Sequence, residues 1–172
     1  MSNMDEEQNV PEPVIHISDN YVTAYYGKLP ETVLGEKSTA NDQKLISNFI
    51  ALLIDPAHRD LKSDVLAILR NSKATQFLVD LIGMKEYAKN RKELVMACWE
   101  CGLDFTAYLE LFVNIAVESE YAVALEAYTV IDEMHGTFDD LQRSNSLRIL
   151  GDFQGSPDKQ SLIKIIADRI QV

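Results

Sequence analysis

The 172-residue sequence predicts an all-α fold: antiparallel helix pairs stacked as a short right-handed solenoid, preceded by an irregular N-terminal segment. Three observations predict it. From about Asn41 onward, apolar residues recur at helical spacing in short segments whose brief connections force antiparallel neighbours. The segments nearly repeat about every 30–33 residues, the range of two-helix repeats. Small residues at inner positions, Ala97, Ala124 and Ala127, would let neighbouring helices approach closely.

Three regions follow from this pattern. Residues 1–13 are acidic, carry Pro11 and Pro13 and lack apolar periodicity, which predicts a disordered tail. Residues 14–40 form an irregular or extended segment. There Val14–Ile17 and Tyr21–Tyr26 are β-prone and could pair as a hairpin around Ser18-Asp19-Asn20, while Gly27, Pro30 and Gly35 break any long element. Residues 41–172 make the helical repeat domain.

Within that domain, Leu45, Ile46, Phe49, Ile50 and Leu53 share one face of a helix over Gln43–Ile54. Asp55-Pro56 supplies an N-cap and first-position proline for the next helix, which runs to about Arg70 and buries Leu61, Val65, Ile68 and Leu69. Asn71-Ser72 stops it and caps a helix with Phe77, Leu78, Leu81 and Ile82 on its apolar face. Lys89–Cys101 turns Leu94, Val95, Ala97, Cys98 and Cys101 inward, and Gly102 suits the position just past the helix end. Asp104 caps Phe105–Val117, where Tyr108, Leu109, Phe112, Val113 and Ala116 face in. Ser119 caps the following helix, in which Ala124, Leu125, Ala127, Tyr128 and Ile131 repeat the inner face of Lys89–Cys101 thirty residues on. Thr137-Phe138-Asp139-Asp140 reads as a weak capping box, and Arg143–Ser146 interrupts the helix it opens. Ser156-Pro157 opens a terminal helix with Leu162, Ile163, Ile166 and Ile170 on one face.

The segment Arg91–Leu103 resembles the second helix of a HEAT unit and its turn. Asp104–Glu118 and Glu120–Met134 resemble the two helices of the next unit. The chain is thus similar to the HEAT and armadillo-like helical repeat families over residues 57–134, and more weakly over 137–172, although the usual HEAT proline and Asp-Val-Arg signals are missing. The resemblance implies a binding surface lined by second helices and no particular chemistry.

Composition narrows the function. Lys and Arg number 16 against 27 Asp and Glu, a net charge of −11, which repels phosphate backbones and disfavours nucleic-acid binding. Such a surface attracts a basic partner, and it equally keeps a protein soluble. The N-terminus lacks the basic and apolar regions of a secretory signal, and no apolar run reaches the roughly 20 residues of a membrane span, so a cytoplasmic location is expected.

No catalytic constellation emerges. Cys98-Trp99-Glu100-Cys101 has C-x-x-C spacing, but at a helix C-terminus the dipole disfavours thiolate, and two further zinc ligands are missing, so buried structural cysteines are expected. His16, His58 and His135 are scattered, and neither a phosphate-binding glycine loop nor G-x-S-x-G is present. No metal or cofactor is expected.

One stripe lies outside the core face. Glu93 and Glu100 sit two turns apart on one helix, and Glu126 and Glu133 on the corresponding one. Met96 and Trp99 fall opposite Leu94 and Cys98 and could anchor a partner, or Trp99 could pack between repeats. The expected function is a non-catalytic protein- or peptide-binding module with an acidic concave face, in the manner of an immunity or inhibitor protein that neutralises a basic target. The alternative is a small-molecule-binding or enzymatic helical domain with a pocket near Trp99 and Tyr128. A third possibility is a terminal piece of a larger assembly, which would leave apolar surface at Gln43–Ile54 or Leu162–Ile170.

Overall fold

The computed structural model describes residues 50–54, 59–71 and 73–171. The expected tail, the hairpin, most of the helix over Gln43–Ile54 and the Asp55-Pro56 cap lie outside them. Among the described residues every regular element is helical. Residues 50–54 are helical and bury Ile50, Leu52 and Leu53. Seven α-helices follow: α1 (Arg59–Asn71), α2 (Thr75–Gly83), α3 (Arg91–Glu100), α4 (Leu109–Glu118), α5 (Tyr121–Asp132), α6 (Asp140–Gly151) and α7 (Pro157–Gln171). Short 3₁₀ turns at Lys85–Asn90 and Thr106–Tyr108 lead into α3 and α4.

The helices meet in a regular order. α2 packs on α3, α4 on α5 and α6 on α7; across these pairs α3 packs on α5, α4 on α6, and α5 on α7. One hydrophobic core runs through all of them, from Val65 and Leu69 in α1 to Ile166 and Ile170 in α7. Phe105 and Phe112 sit at its centre, edge to face with ring centroids 5.6 Å apart.

Polar side chains tie the same neighbours together. Tyr108, in the turn before α4, donates to Gln76 Oε1 on α2 at 2.6 Å, and Asn145 on α6 donates to Glu110 Oε1 on α4 at 3.0 Å. The loops before α4 and α6 join as well. Asp104 accepts from the backbone N–H and hydroxyl of Thr106, whose hydroxyl oxygen accepts from the Gly136 N–H at 3.1 Å. A Cβ at Gly136 would lie 2.8 Å from the Thr106 side chain, so this crossing needs glycine.

Several terminus expectations are corrected. The N-cap of α5 is Glu120 rather than Ser119, and Ser119 instead ends α4 in extended geometry. Lys159 on α7 reaches back to donate to the carbonyls of Val117 and Ser119, capping the end of α4 with a cation. The capping box at α6 begins at Asp139, which accepts from Gln142 N at 2.7 Å while Gln142 supplies the stronger amide at the third position. Arg143–Ser146 does not interrupt α6: Ser146 is fully buried, its small side chain accommodated where the helix meets its neighbours. Asp104 opens the 3₁₀ turn rather than capping α4, which starts only at Leu109. α2 starts from Ala74 without a side-chain cap, and the Ser72 half of the expected cap lies outside the described residues.

Two helix ends need left-handed backbone. Gly102 (φ 66°) follows α3 as its sequence position suggested, whereas Lys73 (φ 51°) does the same after α1 with a Cβ. There Lys73 N–H bonds Arg70 O at 3.1 Å and Ala74 N–H bonds Leu69 O at 3.0 Å, the paired reverse bonds of a Schellman ending. A non-glycine residue in this region costs about 1–2 kcal/mol. Lys73→Gly should therefore stabilise the fold by about 0.5–1 kcal/mol, and Gly102→Ala should destabilise it by about 1 kcal/mol. Urea midpoints read both, and shifts of the same sign would contradict the assignment.

Candidate functional site

The stripe residues sit on α3 and α5, but those two helices present different faces to the core. α3 buries Leu94, Val95, Ala97 and Cys98; α5 buries Val123, Ala124, Ala127, Val130 and Ile131. The thirty-residue correspondence therefore fails at two of its five positions. Leu125, expected inside opposite Val95, is 42% exposed, and Tyr128 is only half-buried. Val123 and Val130 compete for the core and win, which rotates α5 relative to α3 and turns Leu125 outward. Tyr121, at the start of the same face, is 47% exposed.

The four glutamates divide by what they touch. Lys62 Nζ on α1 lies 2.8 Å from Glu100 Oε1 and 2.7 Å from Oε2, and the Glu100 side chain is only 19% exposed. Such a partly desolvated pair is worth more than a surface one, and removing either partner would strand a charge. Arg70, also on α1, donates to the Cys101 carbonyl at 2.6 Å, satisfying the end of α3. Trp99 donates its indole N–H to Glu126 Oε2 at 3.1 Å, bridging α3 to α5, while its ring packs half-buried against the core. Further along, Asp132 on α5 accepts from Arg169 on α7 at 3.3 Å. α1, α3, α5 and α7 are thus linked in turn by polar contacts.

Glu93 and Glu133 differ from the other two. Glu93 is half-buried on the first turn of α3, Glu133 is exposed at the end of α5, and neither makes an ion pair among the described residues. Met96 is half-buried on the outward side of α3. The structure thus brings Trp99 to Glu126, and Glu100 to Lys62, and it leaves Glu93, Met96 and Glu133 outside those contacts. Exposed Leu125 and Tyr121 were missed as candidate surface residues. The signal that could have found them was the pair Val123 and Val130, seven apart and better suited to a core face.

The two thiols are structural in their surroundings. Cys98 and Cys101 are unbridged and buried, with Cys98 donating to Leu94 O at 3.4 Å and Cys101 to Cys98 O at 3.1 Å. Burial pushes the Cys98 thiol well above the usual range, and a negative Cys101 would push it further. Burial also raises Cys101, against the opposing pull of the Leu103 backbone and Arg70. Among the described residues no group of three His, Cys, Asp or Glu could hold a metal ion. No described helix is long and apolar enough to cross a membrane. No family model, curated protein or solved structure matches the chain.

The thiol environment has a measurable consequence. Folded thiols keep their protons to higher pH than unfolded ones, so their contribution to stability is complete below about pH 8.5 and lost as pH rises through the raised folded values. A disulfide-exchange reagent at about pH 8 should react with the native protein only as fast as it opens, and with the urea-unfolded protein at once. Immediate reaction of either thiol in the native state would contradict this burial.

Proposed function

We propose that the chain is a non-catalytic protein- or peptide-binding module, built as a short right-handed HEAT-like stack of antiparallel helix pairs. The neighbour order supports the stack: first helices α2, α4 and α6 are linked by Gln76–Tyr108 and Glu110–Asn145, and second helices α3, α5 and α7 by Trp99–Glu126 and Asp132–Arg169. On this reading the second helices line the working face.

The observation that carries the binding function is the outward face of α5. Tyr121 and Leu125 expose large apolar side chains there, and Glu126, Asp132 and Glu133 lie along the same helix and its end. An aromatic and an aliphatic anchor beside carboxylates suit a basic segment with apolar side chains of its own, in keeping with the net charge of −11. Glu93 and Met96 extend this surface onto α3, whereas Glu100, Glu126 and Trp99 act mainly by holding the helices that carry it. An immunity- or inhibitor-like role against a basic protein is the sharper form of this proposal, in a cytoplasmic setting.

The test is capture from source-cell lysate at low and high salt, with mass spectrometry, comparing the native chain with Leu125→Asp and with Glu93→Lys/Glu133→Lys. A basic protein should be captured by the native chain at low salt and lost at high salt. Leu125→Asp should weaken its capture about tenfold or more, a loss of at least about 1.4 kcal/mol. Capture that neither variant changes would sink the proposal.

A further inference from the structure

An open groove of about 380 Å³ runs between α6 and α7, floored by Leu147, Leu150, Phe153, Ile163 and Ala167, with Lys164 at its edge. Its lining comes from α6, α7 and the loop between them alone. α4 packs on both helices and α5 on α7, yet neither lines the groove, which is left as a seat for one more helix. We infer that this groove is the self-association face of the chain, and that a second copy seats its own α7 there in an isologous, antiparallel dimer.

Charge distribution selects this occupant. Residues 140–171 contain Arg143, Arg148, Lys159, Lys164 and Arg169 against Asp140, Asp152, Asp158 and Asp168, a net of +1. With −11 on the whole chain, the remainder carries −12. The excess negative charge thus lies outside this segment, and the near-neutral α6–α7 end is where like can meet like. Lys164 at the groove edge and Asp168 beside it on α7 supply self-complementary charge. Lys164 and Asp168 are exposed one turn apart on α7, and among the described residues neither has an ion-pair partner. An antiparallel α7 pair that crosses at the level of Ile166, on the exposed side of the helix away from that buried residue, sets each Lys164 against the partner's Asp168, two reciprocal pairs from one symmetric contact. The apolar floor between them supplies the buried area, in the helix-in-groove manner.

The dimer is independent of the binding face on α5, so the two proposals fail separately. Sedimentation velocity across a concentration series, on the whole chain, tests it. The native chain should show a monomer–dimer equilibrium, and Ala167→Glu, which puts a charge on the groove floor, should leave monomer only. Lys164→Asp and Asp168→Lys, both at exposed positions that spare the fold, should each weaken dimerisation roughly tenfold or more, while the combined exchange restores it. Circular dichroism confirms that each variant is folded. A native chain that stays monomeric at every concentration overturns the inference. So does a dimer indifferent to Ala167→Glu, or one whose charge variants show neither loss nor rescue.

Discussion

The close approach of α3 to α5 is the constraint on which the rest of the structure depends. Ala97 on α3 and Ala124 and Ala127 on α5 are all fully buried, and a larger side chain at any of them would have to displace its neighbours. Cys98 and Cys101 fill the remaining volume on the α3 side as small apolar groups, which explains a C-x-x-C with no redox setting. The bond from Trp99 to Glu126 closes the solvent edge of this contact and fixes its register. With α3 and α5 set, α4 packs behind α5, and α6 and α7 follow by the same order of neighbours.

Polar clamps repeat along the chain where apolar packing alone would leave register loose. Lys62–Glu100, Trp99–Glu126 and Asp132–Arg169 link successive helices on one side, and Gln76–Tyr108 and Glu110–Asn145 on the other. Each is specific in geometry and modest in energy, about 1 kcal/mol for a neutral hydrogen bond and more where one partner is charged. The four glutamates thus divide. Glu100 accepts from Lys62 on α1 and Glu126 from Trp99 on α3, while Glu93 and Glu133 make no ion pair among the described residues. The proposed function draws on the second pair, on a surface that the contacts of the first would hold in place.

Much of this was legible in the sequence. The inner faces of α2 and α7 read correctly from spacing alone, because Phe77-Leu78 with Leu81-Ile82, or Leu162-Ile163 with Ile166 and Ile170, leave one apolar face and no competitor. For α4 the reading found Leu109, Phe112, Val113 and Ala116 but missed Ile115, and it placed inside a Tyr108 that is half-buried in the turn before the helix. Gly102 read correctly because glycine is the residue best suited to that backbone. α5 misled because it is apolar almost all round: Val123, Leu125, Tyr128 and Val130 all qualify for a core, and only packing against α3, α4 and α7 decides among them. Ser146 misled for the opposite reason, since a polar run looks like a break until its smallest member is seen filling a narrow space. The glutamate stripe was visible, but its division was not. Lys62 and Glu100 are far apart in sequence, and periodicity carries no information about which helix lies alongside.

A double-mutant cycle on Trp99→Phe and Glu126→Ala, measured by urea unfolding, tests most directly whether the stripe holds the helices together. A coupling of about 1 kcal/mol or more between the two substitutions is expected, since a partly buried N–H to carboxylate bond is lost when either partner is changed. Strictly additive effects would mean that the contact carries no energy, and that Glu126 belongs to the solvent face with Glu133.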